Sequence, residues 1–179
     1  MKEKVGIITF HAAHNCGSFL QSYAMQNVLK KLGYDAELID YSSEGQRDMY
    51  SVFSKKKDWR KKIKNIVYFP HKKTLERHRK NYQDFIKNNL KVSDKKYLSV
   101  EELENMPDDQ YDIYLAGSDQ VWNITIPDAS EAYFLSFTNN KRKIAYAPSF
   151  GAKNIKELAE DPQKYADYLL KFKDLSIRE

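Results

Sequence analysis

The sequence predicts an α/β domain with a mostly parallel sheet. Short apolar strands alternate along the chain with amphipathic helical segments, and this pattern places helices on both faces of such a sheet. Loops rich in small and polar residues directly follow two of the strands. A chain of 179 residues with 41% hydrophobic content can bury one sizeable core. We therefore expect residues 1–179 to form a single Rossmann-like domain, arranged as a three-layer sandwich.

The amino-terminal segment predicts a β-α-β unit. Val5–Phe10 is a short apolar run typical of a buried strand, and Asp35–Tyr41 alternates as a second strand. One apolar stripe runs along the helix between them: Leu20, Tyr23, Ala24, Val28 and Leu32. Ser18 and Gln21 fit a capping box at the helix start, and Gly33 is well placed to end the helix.

The middle of the chain, from about residue 42 to 98, is predicted to be a basic helical insertion between strands. Apolar residues keep helical spacing from Leu75 to Leu90, and Pro70 interrupts the region. From Ser54 to Lys80 the chain has twelve Lys and Arg against two acidic residues, whereas the rest of the chain carries a net charge of −5. The basic character of the protein therefore belongs to this one segment.

Two interpretations of the basic segment 55–80 remain open. It is either a solvated surface or an electrostatic platform for an anionic partner. Such a partner would be a phosphorylated sugar, an anionic glycan or a membrane surface. No nucleic-acid-binding motif is present, and Trp59 and Tyr68 are too sparse to form a stacking platform, so we expect no nucleic-acid partner.

Strands and helices continue to alternate toward the carboxyl terminus. Ser99 and Glu102 form a capping box for a short helix, and the segment from Ile155 to Phe172 predicts a helix that is bent or broken near Pro162. Three further short strands are predicted: Tyr111–Ala116, Lys143–Ala147 and Leu175–Ile177. In a parallel sheet, the loops after such strands lie at the ligand-binding edge.

These loops hold the candidate binding residues. The first strand is followed by four of them: Asn15, Gly17, Ser18 and Gln21. The start of the helix there offers free N–H groups that suit an anionic group of a ligand. After the third strand, Gly117 frees the backbone just before a run of polar side chains: Ser118, Asp119, Gln120 and Asn123. Ser149 lies in a further loop, after Pro148 has closed a strand.

Four sequence blocks, in this order, resemble the polysaccharide pyruvyl transferase family. They are Asn15-Cys-Gly-Ser-Phe-Leu-Gln21 followed by Tyr23-Ala24, then Gly117-Ser-Asp-Gln-Val-Trp-Asn123, Ala145-Tyr-Ala-Pro-Ser-Phe-Gly151 and Ser176-Ile-Arg-Glu179. The resemblance implies transfer of a pyruvyl group from phosphoenolpyruvate to a sugar of a cell-surface polysaccharide or its precursor. It also implies a fold similar to one half of a glycosyltransferase-B enzyme, with the site in a cleft between two halves. We expect no cofactor and no metal.

The implied reaction assigns roles to these residues. Asp119 is the candidate catalytic group, which hydrogen-bonds an acceptor hydroxyl and takes its proton; the alternative is a structural cap at Gln120. Neutral contacts with sugar hydroxyls are expected from five side chains: Asn15, Ser18, Gln21, Gln120 and Asn123. Trp122 either stacks on a pyranose face or fills the core, and the energetics of aromatic burial favour the core.

In the family, the Ser176–Glu179 block leads into a second half. The chain therefore corresponds to an amino-terminal half, either as a piece of a longer protein or as a natural fragment. The cations that hold phosphoenolpyruvate are expected mainly in the second half, so this chain alone is expected to be inactive. The alternative function is a non-catalytic module that binds an anionic glycan or a nucleotide-sugar.

The remaining composition argues against several other classes. No run of eighteen apolar residues and no signal-peptide pattern is present, and a single cysteine allows no internal disulfide. We expect a cytoplasmic protein that is at most peripheral to the inner face of the membrane. His11, His14 and Cys16 lie close in sequence, but without an evident orienting carboxylate or a third metal ligand they predict neither a catalytic thiol nor a metal site.

Overall fold

The computed structural model describes residues 2–51, 59–140, 142–151 and 154–178. In this part of the chain, six strands form one parallel sheet. They are β1 (Lys4–Ile8), β2 (Asp35–Tyr41), β3 (Val92–Tyr97), β4 (Ile113–Ala116), β5 (Lys143–Tyr146) and β6 (Asp174–Ser176). Their order across the sheet is β3-β2-β1-β4-β5-β6. This is the strand order of dinucleotide-binding Rossmann folds, so the predicted fold class is confirmed.

Helices connect these strands. They are α1 (Cys16–Lys31), α2 (Glu44–Met49), α3 (Trp59–Tyr68), α4 (Lys72–Asn89), α5 (Val100–Glu104), α6 (Ile155–Leu158) and α7 (Pro162–Leu170), with 3-10 turns at Phe69–His71 and Glu131–Phe134. The predicted interruptions at Pro70 and Pro162 are present, because Pro70 lies in a 3-10 turn and Pro162 starts α7. Among the described helices, none is both long and apolar enough to cross a bilayer.

Hydrophobic cores cover both faces of the sheet. Side chains of neighbouring residues in β1 point to opposite faces, so Ile7 and Ile8 enter different cores, and both are fully buried. The Ile7 core includes Leu29 of α1 and Leu90 at the end of α4. The Ile8 core is rich in aromatic residues and contains Trp122. The sheet and the layers packed on its two faces are the three layers of the domain.

The orientation of α1 differs from the prediction. Its apolar stripe faces solvent, with Leu20 54% and Leu32 68% exposed, whereas its buried residues are Ser18, Ser22, Gln26 and Leu29. The reason is that Gln26 has backbone partners: its amide nitrogen donates to the Lys91 carbonyl at 2.7 Å, and its amide oxygen accepts from the Lys91 N–H at 2.9 Å. A buried polar side chain is stable when its hydrogen bonds are made.

The start of α1 and the strand β3 were also predicted wrongly. The cap is Asn15, whose side chain accepts from the Gly17 N–H at 2.8 Å, so the helix begins before Ser18. The end of α1 agrees with the prediction, since Gly33 follows it with φ at +98°. The predicted helical insertion at about 42–98 contains helices but ends in β3, an edge strand with the sequence VSDKKY. Charged residues are typical of edge strands, and because of them the sequence pattern did not indicate a strand here.

Candidate functional site

The loops after β1 and β4 lie together at one edge of the sheet. The two strands pair in parallel, with Ile8 opposite Ala116, so both chains leave the sheet at the same end. From here, α1 leads toward β2 on one side of the sheet, while β5 and β6 lie on the other side. Ligands of open α/β sheets bind at such a switch point. The structure therefore brings together the two loops that the sequence singled out.

Hydrogen bonds join the two loops through Gln21. Its amide nitrogen donates to Thr9 Oγ1 at 2.7 Å, and its amide oxygen accepts from Ser118 Oγ at 3.1 Å. Thr9 Oγ1 in turn donates to the Ser118 carbonyl at 3.2 Å. Gln21 is therefore fixed as a bridge between α1 and the post-β4 loop. Thr9 was missed by the sequence interpretation because it reads as part of the first strand.

Asp119 is half-buried at the centre of this edge. Its Oδ2 accepts from Ser18 Oγ at 3.0 Å, and its Oδ1 accepts from the Gln120 N–H at 2.8 Å. Its φ is +81°, an angle that Asp tolerates better than most residues. The local bond to Gln120 stabilises a turn, because no helix follows Asp119. Each oxygen keeps capacity for a further donor, since a carboxylate oxygen accepts at two positions.

The other polar candidates differ in their accessibility. Asn15, Gly17 and Gln120 are exposed at the rim, whereas Ser18 and Asn123 are buried. The Asn15 oxygen already accepts its capping bond, whereas its amide nitrogen is available to donate to a ligand. The Asn123 side chain is held within its own loop, donating to Gln120 Oε1 at 3.1 Å.

Trp122 and Ser149 do not face the rim. Trp122 is fully buried, its indole N–H donates to the Tyr133 carbonyl at 2.9 Å, and its ring stacks on Phe134. Ser149 is also fully buried, and its backbone N–H donates to the Asp119 carbonyl at 2.9 Å. Substrate contact by these two side chains is therefore corrected to a structural role: Trp122 fills the core and Ser149 supports the Asp119 loop.

Gly117 is required by the close approach of two loops. Its φ is +111°, and a Cβ built at this position would lie 2.3 Å from the Tyr146 carbonyl oxygen. The Gly117–Ser118 peptide bond is cis. A side chain at this position is excluded by both the backbone angle and the neighbouring strand.

No sequence pattern marks Asp128 or Tyr50. The Tyr50 ring lies 5.7 Å from that of His14, in the loop after β1. Asp128 is 4% exposed. Burial raises its pKa, and the nearby negative charge of Asp119 raises it further. Burial also raises the pKa of Tyr50, followed by the charges of Asp128 and Asp119. The carboxyls of Asp119 and Asp128 therefore have different environments, because Asp128 is buried and Asp119 is half-exposed.

The two histidines after β1 have separate partners. His11 is buried, with Nε2 3.5 Å from Asp40 Oδ1 and Nδ1 3.3 Å from the Thr9 carbonyl. Asp40 is therefore an orienting carboxylate, which the sequence interpretation said was not evident. His14 instead stacks on the ring of Tyr82. Burial lowers the pKa of His14, and the charge of Arg79 lowers it further.

Cys16 contacts Tyr82 rather than a histidine, with Sγ 3.1 Å from the Tyr82 hydroxyl. Across the described part of the chain, no group of three His, Cys, Asp or Glu side chains is placed to hold a metal ion.

Comparison with known families identifies the family of this chain. The polysaccharide pyruvyl transferase family model matches residues 15–179. The chain belongs to this family. No curated protein and no solved structure gives a match. The region matched in this pyruvyl transferase family member contains Asn15, Gln21 and Asp119, whereas Thr9 lies before it. Family membership indicates a transferase that acts on a sugar acceptor.

The basic segment of this pyruvyl transferase family member is only partly described. Lys55, Lys56 and Lys57 lie outside the described residues, as do the side chains of Arg60, Lys61, Lys62 and Lys64. The described face of α3 is apolar and exposed. Ile66 is 73% and Val67 60% exposed.

Proposed function

We propose that this chain holds the sugar acceptor of a pyruvyl transfer from phosphoenolpyruvate, at the joined loops after β1 and β4. The observation that carries the proposal is the placement of Asp119. Its carboxylate is held by Ser18 and by its own loop, yet remains half-exposed at the switch point of the sheet. A carboxylate fixed in this way can accept a hydroxyl proton without reorganising first.

The reaction balances as follows. C3 of phosphoenolpyruvate takes a proton, two acceptor hydroxyl oxygens bond to C2, and the C2–O bond to phosphate breaks. The two hydroxyls lose two protons, of which one is equivalent to that gained by C3 and the other leaves with the phosphate. Asp119 accepts the proton of the attacking hydroxyl, and Gln120 and the Asn15 amide orient the sugar from the rim. We assign the donor-binding cations to a second half outside this unit.

Sugar binding by the 179-residue chain tests the acceptor site. Asp119→Asn removes a charged acceptor of hydroxyl protons and should weaken binding by about 10-fold, since hydrogen bonds to charged groups exceed neutral ones by more than 1 kcal/mol. Asp84→Asn is the matched control, because Asp84 is an exposed carboxylate on α4. Saturation-transfer NMR with a panel of diol-bearing sugars measures both. Equal affinity in both variants would remove Asp119 from the site.

Phosphate release separates the enzyme from the alternative function, a non-catalytic glycan or nucleotide-sugar module. The chain alone should release no phosphate from phosphoenolpyruvate, whereas a form that includes a second half should do so when an acceptor is present. In that form, Asp119→Asn should lower turnover by about 10²-fold or more. Sugar binding without phosphate release in either form would favour the module.

We further propose that α3 rests on the surface of an anionic membrane. Five large apolar residues near α3 are 51–73% exposed: Trp59, Ile63, Ile66, Val67 and Phe69. The same segment has a high density of Lys and Arg in its sequence. A helix with these two properties suits the interface of a bilayer with anionic lipids.

Vesicle cosedimentation tests this contact. Binding to phosphatidylglycerol vesicles should exceed binding to phosphatidylcholine vesicles and should fall in Ile66→Ser/Val67→Ser. The control is Leu20→Ser/Val28→Ser on α1, where the residues are also exposed, at 54% and 52%. Equal loss in both double variants, or equal binding to both kinds of vesicle, would contradict the α3 assignment.

A further inference from the structure

A cavity of about 490 Å³ opens beside the candidate site. Its walls come from α4, α2 and the strands β2 and β3, and they include His11 and His14 from the loop after β1. None of the residues from Gly117 to Asn123 lines it. Its volume lies within the range of small-molecule sites, roughly 300–1,000 Å³. The cavity is therefore separate from the loop that holds Asp119, and the two share the loop after β1 as a neighbour.

Four cationic side chains line this cavity against one carboxylate. The cations are Arg47, Arg79, Lys87 and Lys96, and the carboxylate is Asp40. They come from α2, α4, β3 and β2, so the positive charge results from the fold and not from one basic run of sequence. Only Arg79 belongs to the basic segment 55–80. Convergent cations with few counter-charges raise the local concentration of anions.

Three of these cations are available to a ligand. Arg47 is anchored, since its guanidinium donates to the carbonyls of Ser42 and Leu98. Within the described part of the chain, no ion pair joins Arg79, Lys87 or Lys96 to a carboxylate. All three line the cavity and are exposed to solvent. A phosphate dianion placed there would replace water around three cations.

The less exposed residues of the cavity wall have a different chemistry. Ile86, Leu90 and Val92 form an apolar wall, and Asp40 and Ser93 offer polar groups. A second anionic group against this part of the wall would meet the Asp40 carboxylate, whereas a sugar hydroxyl would donate to it. The cavity therefore suits a ligand with one anionic end and one neutral, hydroxyl-bearing body.

We propose that this cavity binds a sugar phosphate, with the phosphate between Arg79, Lys87 and Lys96 and the sugar body directed inward toward Asp40. The inference rests on the proposed function in one respect, because it makes the acceptor a phosphorylated sugar. His11 lines the cavity, and its Nδ1 lies 3.3 Å from the carbonyl oxygen of Thr9. Thr9 Oγ1 in turn donates to the Ser118 carbonyl, next to Asp119. The sugar end of the ligand therefore lies next to the acceptor site. Phosphoenolpyruvate fits poorly, since it has no hydroxyl and carries a second anionic group.

Calorimetric titration of the 179-residue chain with N-acetylglucosamine 1-phosphate tests the proposal. Arg79→Gln/Lys87→Gln should weaken binding at least about 10-fold, because each charged hydrogen bond to phosphate exceeds a neutral one. Lys73→Gln/Lys80→Gln is the matched control, since both lysines are exposed on α4 and neither lines the cavity. The control should bind within about 2-fold of the wild type. Circular dichroism checks that both variants fold.

Three results would overturn the proposal. They are an equal loss in the control variant, no saturable binding, or phosphoenolpyruvate binding as tightly as the sugar phosphate and with the same dependence on Arg79 and Lys87. N-acetylglucosamine should bind weakly, because it has no anionic end. Sugar-phosphate binding that depends on Arg79 and Lys87, together with no effect of Asp119→Asn on sugar binding, would leave the cavity assigned and remove only the proposed acceptor site.

Discussion

Ser18 Oγ donates a hydrogen bond of 3.0 Å to Asp119 Oδ2, linking positions that lie 101 residues apart. The bond connects the first turn of α1 with the loop after β4. It forms because β1 and β4 are neighbours in the sheet although β2 and β3 lie between them in sequence. The orientation of the candidate catalytic carboxylate is thus set by the strand order.

Ser18→Ala should lower the free energy of unfolding by about 1–2 kcal/mol, because the lost hydrogen bond is to a half-exposed carboxylate and bonds to charged groups contribute more than neutral ones. Ser136→Ala is the matched control. The Ser136 hydroxyl is buried without a hydrogen-bond partner in the described structure, so its removal should be neutral or slightly stabilising. Urea unfolding of both variants measures the difference. Equal effects would mean that the Ser18–Asp119 bond contributes nothing to stability.

The sheet was predictable wherever strands are buried on both faces. Ile7 and Leu115 belong to apolar runs that are too short for helices, and the polar loops after them marked the ligand-binding edge. The strand β3 was not predictable in this way, since it lies at the sheet edge and Lys95 and Lys96 are exposed. Its place in the sheet depends on pairing with β2, which sequence spacing does not reveal.

The face of α1 shows why an apolar stripe can mislead. Gln26 is buried because the backbone of Lys91 supplies both a donor and an acceptor for its amide. The stripe containing Leu20 and Val28 is left outside. The orientation of α1 depends on the position of Lys91 in the fold. Lys91 is 65 residues from Gln26 in sequence, so helical spacing alone does not reveal this contact.

The candidate site was likewise predictable from the sequence only in part. Asp119, Ser18 and Gln21 were identified from local motifs, whereas Asp128 and Asp40 were not, because their partners are distant in sequence. Trp122 was assigned both roles, and its burial decides for the core.

Trp122 should be inaccessible to an aqueous quencher. The chain has two tryptophans, and Trp59 is 65% exposed while Trp122 is fully buried. In Trp59→Phe, iodide should leave the remaining fluorescence almost unchanged, and added sugar should not shift it. In Trp122→Phe, the emission should be quenched. Trp122→Ala should cost about 3–5 kcal/mol of stability, as is usual for a buried aromatic side chain. Strong quenching in Trp59→Phe would restore a surface role for Trp122.

Gly117→Ala should destabilise the protein more than Gly33→Ala. Both glycines have positive φ, at +111° and +98°, so each substitution carries a similar backbone penalty of about 1 kcal/mol. Only at Gly117 does the new Cβ meet a backbone atom, the Tyr146 oxygen at 2.3 Å, whereas nothing lies within 4 Å at Gly33. We expect Gly117→Ala to lower the free energy of unfolding by about 1–3 kcal/mol more than Gly33→Ala does, as is typical of overpacked sites. Thermal unfolding of the two variants gives the comparison, and equal melting temperatures would contradict the close approach.

Stability should rise between pH 7.5 and 9.5 because of Lys143. This lysine is 3% exposed, and its Nζ donates to the Leu135 carbonyl at 2.7 Å. Burial lowers its pKa to about 8, with a smaller contribution from the charge of Lys171. An unfolded lysine titrates near 10.4, so between these values the unfolded chain binds more protons than the folded one. The free energy of unfolding therefore increases with pH in this window, by about 1–2 kcal/mol for this group.

Lys143→Met should abolish that increase, because it removes the group that titrates. Lys173→Met should keep it, since Lys173 is exposed and lies directly before β6. Urea unfolding at four pH values between 7.5 and 9.5 gives the slopes for the three proteins. The window ends below pH 10, where tyrosines of the unfolded chain begin to ionise and oppose the trend. A flat profile in the wild-type protein, or an unchanged slope in Lys143→Met, would show that the buried amine does not carry the pH dependence.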